Sequence, residues 1–307
     1  MKAKAPGKVV LSGAYAVLEG APAIVSAVDR YVRCDSELAP ERITPEVRAA
    51  LPEGPFPSFD AAELRDGEHK LGLGSSAAIL VAALAAVRAP EFADEAALRR
   101  GIEGAALRAH REAQGGGSGI DVAASVRGGT LIARRAAPDS LEIDSVELPA
   151  ALSIEVWASG VSASTPELLR AVAGFRRQHE DEYGALMSAL CRAATGAAAA
   201  LRDGRAEGFI AELCAQRELL SKLGSASGVP IITPEASALA DWAKPRGAAV
   251  LPSGAGGGDI VLWVGLEPSP VPFRELAARL GHRHIPVQLH ARGVFAFDRE
   301  NGVPGGA

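Results

Sequence analysis

The segment that most constrains the fold of this chain is a glycine-rich turn at residues 70–78, which reads KLGLGSSAA. Small apolar residues follow it as far as Arg88, which predicts a helix that begins at Ser75. Glycines let a backbone approach a ligand closely, and the first N–H groups of a helix have no partner within it. The segment is therefore a candidate anion site, most often for phosphate. The plainer alternative is a glycine turn with serine caps.

Two better-known phosphate-binding motifs fit this turn poorly. A Walker A loop needs Gly-Lys-Ser/Thr, and the sequence contains no such triplet. The dinucleotide motif Gly-x-Gly-x-x-Gly/Ala is met formally by Gly72, Gly74 and Ala77, but it needs a buried strand directly before it. Residues 65–70 read RDGEHK and are too polar for such a strand. The interpretation that remains is a phosphate-binding loop at the start of a helix, in a kinase of a different fold. We call residues 72–77 the phosphate loop.

The chain has 34 glycines, and some of them form two further clusters. One reads QGGGSGID at 114–121 and places Asp121 near the start of a predicted helix. There Asp121 is either an ordinary helix-start acid or, in a cleft, a group that takes a proton from a substrate hydroxyl. The other reads PSGAGGGD at 252–259, between two predicted strands, and holds more glycines than a hairpin needs. It predicts backbone packed against another loop or a ligand.

The remaining pattern predicts an α+β chain in two halves. Residues 39–69 carry five prolines, which indicates irregular chain around one short helix. The second half reads as strand, helices, two strands, helix and strand, which resembles a ferredoxin-like split arrangement. Its longest predicted helix covers about 166–202, and its last strands are predicted near 284–290 and 294–297.

Composition excludes several classes of protein. The chain has 307 residues and a net charge of −5, so nothing in its charge predicts binding to nucleic acid. No apolar run approaches the ~18 residues of a membrane span, and no signal peptide is evident at the N-terminus. Three widely spaced cysteines are typical of reduced thiols and predict a cytoplasmic protein.

Three segments, in this order and spacing, resemble the motifs of the GHMP kinase superfamily. They read PGKVVLSGAYAVLE at 6–19, GLGSSAA at 72–78 and SGAGGGD at 253–259. The resemblance covers nearly the whole chain. It implies an N-terminal, ATP-binding domain of the ribosomal-protein-S5-like type at residues 1–150 and a C-terminal ferredoxin-like domain at 151–307. The active site would lie in the cleft between the two domains.

Within the superfamily the chain is most similar to bacterial phosphomevalonate kinases. The lysine directly before the loop and the segments around Ala109–His110, Ser164–Thr165 and 230–235 carry this resemblance. It implies transfer of the γ-phosphoryl group of Mg²⁺-ATP to 5-phosphomevalonate. Mevalonate kinases carry a metal-binding Glu eleven residues before their catalytic Asp, and His110 occupies that place here.

The resemblance also implies a role for individual residues. Lys8, which alone could be a solvated charge, becomes a catalytic cation, and Asp121 becomes its catalytic partner, either a base or an orienting group. Ser76 is the candidate metal ligand. The candidate ATP-binding residues are Gly72, Leu73, Gly74, Ser75, Ser76 and Ala77. The candidate acceptor-binding residues are Tyr15, Lys70, His110, Gln114, Ser118, Gly119, Ser164, Thr165, Ser253, Gly254, Ala255 and Gly256.

Several alternatives stay open at the level of sequence. His110 and Gln114 could be a satisfied pair on a helix surface, and Ser164 could simply cap a helix. The first motif reads Gly-Ala-Tyr at 13–15, where the superfamily usually has Gly-Glu-Tyr or Gly-Glu-His. A mevalonate kinase, another small-molecule kinase, or a non-catalytic ligand-binding relative are the competing functions. Small-molecule partners, no nucleic acid or membrane, and a monomer or homodimer are expected.

Overall fold

Two large antiparallel sheets, a third sheet of two strands, and the helices that cover the large sheets organise the described chain. The computed structural model describes residues 1–67, 69–137, 140–161 and 164–297. The strands are β1 (Lys2–Ser12), β2 (Ala23–Asp35), β3 (Ser58–Asp60), β4 (Arg65–Asp66), β5 (His69–Lys70), β6 (Thr130–Ala137), β7 (Ser140–Val146), β8 (Ser153–Ala158), β9 (Ala249–Pro252), β10 (Ile260–Gly265), β11 (Arg283–Ile285) and β12 (Phe295–Phe297). The helices are α1 (Pro45–Ala50), α2 (Ser75–Arg88), α3 (Glu95–Gln114), α4 (Ile120–Arg127), α5 (Thr165–Gln178), α6 (Glu180–Arg202), α7 (Ala206–Ser227), α8 (Pro234–Ala243) and α9 (Val271–Arg279).

The first sheet has the order β12-β1-β2-β6-β7, and β3 pairs with β2 at its side. Helix α2 packs against β1, β2 and the helices α1, α3 and α4. Every residue of α2 from Ala77 to Ala86 is buried, which explains why its sequence is apolar on all sides. This central position holds the start of α2 beside β1.

The second sheet has the order β11-β8-β10-β9, and all its neighbouring strands are antiparallel. Numbered along the chain, these strands lie in the order fourth, first, third, second. Helices α5 to α8 connect the first strand to the second, and α9 connects the third to the fourth. The predicted ferredoxin-like arrangement of the second half is therefore confirmed, as is the α+β class.

The prediction of one helix over about 166–202 is wrong, because the structure has two helices there, α5 and α6, separated by His179. This residue is not helical (φ −138°, ψ 58°) and stacks on Phe175 with 5.4 Å between ring centroids. The break lets Phe175 and Tyr183, on either side of it, pack edge to face in one apolar cluster. The strand predicted near 284–290 is also shorter, since β11 ends at Ile285, directly before Pro286.

The last described strand returns to the first sheet. β12 pairs with β1 through Lys2 and Phe297, and an isolated bridge joins Val28 to Leu289. The expectation of separate domains at 1–150 and 151–307 remains a proposal, with the amendment that the second segment supplies an edge strand to the first sheet. The residues after 297 lie outside the described part of the chain.

Helix α6 is the one described element that is long and apolar enough to cross a membrane. Its most apolar stretch has a mean hydropathy of 1.3 and is 44% buried inside the protein. Buried core helices of globular proteins meet the same test, so this helix is weak evidence for a membrane span. It packs along α7, with Ala194 and Ala197 fully buried.

Candidate active site

The first and second motifs meet where β1 passes the start of α2. The Lys8 N–H donates to the carbonyl oxygen of Leu73 at 2.9 Å, and the Lys8 side chain crosses the face of Gly74. A Cβ atom on Gly74 would lie 2.8 Å from Lys8 Cε, closer than real contacts allow. Gly74 also has φ +76°, in the left-handed region. Glycine is therefore required here by both conformation and contact.

The two predicted catalytic residues lie together. Lys8 Nζ is 3.5 Å from a carboxylate oxygen of Asp121, in the first turn of α4. The residue Lys8 is only 6% exposed, whereas the Asp121 side chain is 32% exposed. A buried ammonium group is costly unless it is paired, and Asp121 supplies that pairing. The pairing thus holds the Lys8 ammonium group in place, and the carboxylate is on the more exposed side of the pair.

The start of α2 has the features of an anion site. Its first N–H groups have no partner inside the helix, and they lie at the positive end of the helix dipole. Ser75 and Ser76 are half-buried, while Leu73 and Ala77 are buried and would contribute through the backbone alone. With Lys8 against Gly74, the helix start and a cation are adjacent.

The third motif connects the second sheet to β1 and to the phosphate loop. Ser253, directly after β9, accepts a hydrogen bond from the Val10 N–H at 2.7 Å. The Ala255 carbonyl accepts one from the Tyr15 hydroxyl at 2.7 Å. A Cβ atom on Gly72 would lie 2.7 Å from Cβ of Asp259. The three motifs, which lie between residues 6 and 259 of the sequence, therefore contact one another.

The glycines of the third motif pack backbone against backbone, as the sequence predicts. A Cβ atom on Gly256 would lie 2.1 Å from the carbonyl oxygen of Ile231, and one on Gly258 would lie 2.6 Å from that of Val161. The Gly257 N–H donates to the same Ile231 oxygen at 3.0 Å. The segment before α8 therefore supports this loop directly.

Tyr15 lies in a turn that follows β1. Its φ of +61° is unusual for a residue other than glycine, and Gly13 before it has φ +87°. The residue is 5% exposed, and burial raises the pKa of its hydroxyl. The hydroxyl therefore stays protonated at neutral pH and acts as the donor to Ala255.

The predicted acceptor-binding residues on α3 are placed differently from each other. His110 Nε2 lies 3.4 Å from the Ser76 hydroxyl oxygen, so it faces the start of α2. The Gln114 amide donates to Oε1 of Glu46, a buried acid on α1, at 2.6 Å. Ser118 and Gly119 line a small cavity of about 10 Å³ together with His110.

The other predicted acceptor-binding residues lie at the surface or in the third motif. Lys70 is exposed in β5 and pairs with Arg65 of β4. Ser164 and Thr165 are exposed at the start of α5, and the Ser164 side chain makes no capping bond to any described residue. Ser164 does occupy the N-cap position of α5, and its carbonyl accepts hydrogen bonds from the Glu167 and Leu168 N–H groups. Gly254 has φ +93° and no described atom within 4 Å of a Cβ position.

Several residues that hold the site together were missed by reasoning from the sequence. Glu19 accepts hydrogen bonds from the Tyr183 hydroxyl at 2.8 Å and from Arg176 at 2.9 Å. Burial and the Glu19 carboxylate raise the pKa of Tyr183 to about 12. Glu46 and Gln216, both buried, bind Gln114 and the end of β1. Glu19 ends the first motif but carries no signal of its own, and Glu46 and Gln216 lie outside the glycine-rich motifs, so the sequence does not identify their roles.

The residues present suit a magnesium ion that arrives with a nucleotide. Such an ion takes most of its ligands from phosphates and water and one or two from the protein. The Ser76 hydroxyl, at the start of α2, is an oxygen ligand of the kind Mg²⁺ prefers. Within the described residues no group of three or more His, Cys, Asp or Glu side chains could hold a metal by itself.

Comparison with known sequences places this chain in a family. Residues 48–129 match the model of the GHMP kinases N-terminal domain. The chain is 31% identical over 210 residues to a mevalonate kinase of Archaeoglobus fulgidus, over 62% of this chain and 69% of that protein. It is 27% identical over 330 residues to a phosphomevalonate kinase of a Streptomyces species, over 83% of this chain and 87% of that protein. The chain belongs to the GHMP kinase family.

Solved structures agree with this fold. A Lin0012 protein from Listeria innocua superposes with a TM-score of 0.81 at 24% identity, over 96% of this chain and 99% of that one. Streptococcus pneumoniae phosphomevalonate kinase, solved with phosphomevalonate and AMPPNP, superposes with a TM-score of 0.72 at 19% identity, over 94% and 99%. At these identities the structures show that the fold is shared.

Proposed function

We propose that this protein transfers the γ-phosphoryl group of ATP to the phosphate group of 5-phosphomevalonate. The observation that carries the proposal is the buried Lys8, paired with Asp121 and lying across Gly74 at the start of α2. The phosphomevalonate kinase of Streptomyces, matched over most of both chains, supports this acceptor. The streptococcal enzyme of the same fold binds phosphomevalonate and AMPPNP.

The chemistry is a single displacement at phosphorus. An oxygen of the acceptor phosphate forms a bond to the γ-phosphorus, the bond from that phosphorus to the β–γ bridging oxygen breaks, and ADP leaves with the electron pair. The product is 5-diphosphomevalonate. Such reactions need positioning and charge stabilisation more than covalent help from the protein. The residues of the three motifs are suited to that task.

Each part of the site has a proposed role in this reaction. The backbone N–H groups of residues 72–77 hold the ATP phosphates, and Lys8 offsets the negative charge that builds up between donor and acceptor. Ser76 would hold Mg²⁺ together with the ATP phosphates, and the bound ion would neutralise phosphate charge. Asp121 orients Lys8, because a phosphate acceptor with a second pKa of about 6 is already ionised at neutral pH. A strong base is then unnecessary.

The acceptor is proposed to bind between the first motif, the third motif and the C-terminal end of α3. Tyr15, His110, Gln114 and Ser118 supply polar groups there, with Gly119 beside them. The other proposed contacts are Lys70, Ser164, Thr165 and residues 253–256. The site lies in a cleft between a nucleotide-binding domain, residues 1–150 with β12, and a ferredoxin-like domain over the rest of 151–307. We place the protein in the cytoplasm.

A second candidate is phosphorylation of mevalonate. The observation that favours it is the 31% identity to the mevalonate kinase of Archaeoglobus fulgidus. The observation against it is His110, which faces Ser76. By resemblance to the family, a mevalonate kinase would have a metal-binding Glu at this position instead of an imidazole. An alcohol acceptor would also require Asp121 to accept a proton.

A panel of acceptors tests the proposal. Purified protein is mixed with ATP, Mg²⁺ and phosphomevalonate, mevalonate, galactose or homoserine, and ADP release is followed by a coupled assay. We expect kcat/KM for phosphomevalonate to exceed that for the others by about 10²-fold, since the other three acceptors lack the phosphate group that accepts the phosphoryl group in the proposed reaction. Phosphorus NMR should show a new diphosphate in the product.

The same panel contains the results that contradict the proposal. Faster turnover of mevalonate than of phosphomevalonate would establish the second candidate. Binding of ATP without turnover of any acceptor would overturn both candidates and favour a non-catalytic ligand-binding role. The Asp121→Asn variant distinguishes orientation from base catalysis. The loss of activity should be nearly independent of pH if Asp121 orients Lys8, whereas the loss of a base should become smaller as the pH rises and more of the acceptor is ionised.

A further inference from the structure

Gln216 is a buried polar side chain on the apolar face of α7. It is 2% exposed and lies between Leu213 and Leu220, which are also buried. An amide costs free energy in such a place unless its hydrogen bonds are made. Its partners therefore explain why glutamine, rather than another leucine, fits this position.

The partners of Gln216 lie in two distant parts of the chain. Its Oε1 accepts hydrogen bonds from the Ser12 hydroxyl at 3.0 Å and from the Gly13 N–H at 2.9 Å. Its Nε2 donates to the carbonyl oxygen of Ala193 on α6 at 3.4 Å. One side chain thus ties the end of β1 to the pair of helices α6 and α7.

The turn that Gln216 holds carries Tyr15. Gly13 has φ +87°, and a Cβ atom there would lie 2.5 Å from the carbonyl oxygen of Pro22, so the turn has little freedom at its start. At its other end the Tyr15 hydroxyl is bound to Ala255. The turn is therefore fixed at both ends, by Gln216 and by the third motif.

The phosphate loop is held by other contacts. The Leu73 carbonyl accepts from the Lys8 N–H, and Gly72 packs on Asp259. None of these contacts involves Gln216 or residues 12–15. A change at Gln216 should therefore alter the turn at 13–15 and leave the phosphate loop unchanged.

We propose that Gln216 is a positioning residue that fixes the turn at 13–15 and, through Tyr15, the acceptor side of the site. This inference rests on the proposed function, because it assigns Tyr15 to the acceptor. The inference goes beyond the proposed function because it makes acceptor binding depend on α7, a helix that contributes no residue to the three motifs.

The main test is the Gln216→Met variant, which keeps the length of the side chain and removes its polar atoms. The Ser12 hydroxyl and the Gly13 N–H then lose their buried partner, and the turn loosens. We expect KM for phosphomevalonate to rise about 10-fold while KM for ATP changes less than 2-fold. A change of both constants by the same factor, or of neither, would overturn the positioning role.

The Gln216→Glu variant supplies a pH profile. A protonated carboxyl group can accept from Gly13 and donate to Ala193, as the amide does, whereas the ionised form cannot donate. Burial raises the pKa of a carboxyl group in such a place. The acceptor KM of this variant should therefore approach that of wild type as the pH falls from 8 to 6. If the KM of the variant keeps a constant ratio to that of wild type across this pH range, the bond to Ala193 does not help to hold residue 216 against the turn, and that part of the inference is wrong.

A neighbouring residue gives the matched control for lost stability. Arg217 follows Gln216 on α7, but its guanidinium binds Ser237 and Asp241 on α8 and does not contact the turn. Arg217→Met should lower the thermal midpoint without changing the ratio of the two KM values. If it changes the ratio as Gln216→Met does, the effect is general destabilisation and the inference is wrong.

Hydrogen exchange separates this inference from the proposed function. The Gly13 amide should exchange faster in Gln216→Met than in wild type, while amides of α8 keep their rates. Unchanged exchange at Gly13 overturns the inference whatever the substrate is. A wild-type protein that turns over none of the acceptors overturns the proposed function, and the acceptor-positioning role falls with it.

Discussion

Two glycine-rich regions of this molecule look alike in sequence and differ in structure. One is the packed region where the second and third motifs lie, and the other is the open region at residues 115–117. In the second and third motifs, Cβ atoms on Gly74 and Gly256 would lie 2.8 Å and 2.1 Å from their nearest neighbours. In the run 115–117, no described atom lies within 4 Å of any Cβ position. Gly115 instead ends α3 in the left-handed conformation, with its N–H on the carbonyls of Arg111 and Glu112.

The difference shows that clustered glycines have two separate physical causes. Where the three motifs meet, glycine is needed because backbones and the Lys8 stem occupy the space of a side chain. At the end of α3, glycine is needed for backbone conformation alone, as in many helix C-caps. The following substitutions test that distinction, in order of expected effect.

The largest effect is expected from Lys8→Met in the packed region. The variant keeps most of the stem that crosses Gly74 but loses the charge beside Asp121, so kcat/KM should fall about 10³-fold, or about 4 kcal/mol. Steady-state kinetics with phosphomevalonate measures it. Lys4→Met, on the same strand beside Phe297, is the matched control and should change kcat/KM less than 2-fold. Near-wild-type turnover in Lys8→Met would remove Lys8 from the reaction.

Gly74→Ala tests whether contact, rather than conformation, makes the phosphate loop sensitive. The new Cβ atom must displace the Lys8 stem, and we expect kcat/KM to fall about 10²-fold. Gly228→Ala, at the end of α7, has a similar φ of +70° but no described atom within 4 Å of a Cβ position. It should share the conformational cost of about 1 kcal/mol and keep full activity. Equal losses of activity in both variants would contradict the distinction.

Gly256→Ala tests the same point by stability. Its Cβ atom would meet the backbone carbonyl of Ile231, which cannot rotate away as a side chain can. We expect the free energy of unfolding to fall by about 3 kcal/mol, measured by denaturant titration. Gly254→Ala, in the same loop with open space around it, should cost about 1 kcal/mol. The comparison fails if the two costs are the same.

The smallest effect is expected in the open region. Gly115→Asn keeps a residue that tolerates the left-handed conformation, so it should lower the free energy of unfolding by only a few tenths of a kcal/mol, as is typical of helix C-caps. The thermal midpoint and kcat/KM should both stay close to those of wild type. A loss above about 2 kcal/mol would show that this run packs against something after all.

Elements with strong local signals could be predicted from the sequence alone. Helix α2 spans Ser75–Arg88 as predicted, because a left-handed glycine precedes it and its apolar run ends at a basic residue. Helix α8 spans Pro234–Ala243 and has equally clear local signals, since Thr233 accepts from the Ala236 N–H and proline occupies the first turn. The three motifs, and with them the proximity of Lys8 and Asp121, also followed from the residues and their resemblance to a family.

The elements that could not be predicted depend on partners far away in sequence. The break at His179 is favoured by packing of Phe175 and Tyr183 around it, and no proline or glycine marks it. Gln216 lies in an ordinary helical stretch, 203 residues from the Gly13 amide that it binds. The roles of the acceptor-binding residues remain predictions, because side-chain proximity alone does not establish what a site binds.

The pairing of β12 with β1 has a consequence for how the chain folds. Lys2 and Phe297 are neighbours in the sheet, so the outer edge of β1 stays without its partner until nearly the whole described chain has been synthesised. An open strand edge is a template for pairing with other chains. During synthesis this protein thus has an aggregation-prone strand edge for longer than a chain whose sheets form from local hairpins. We expect chaperones to bind the nascent chain at β1.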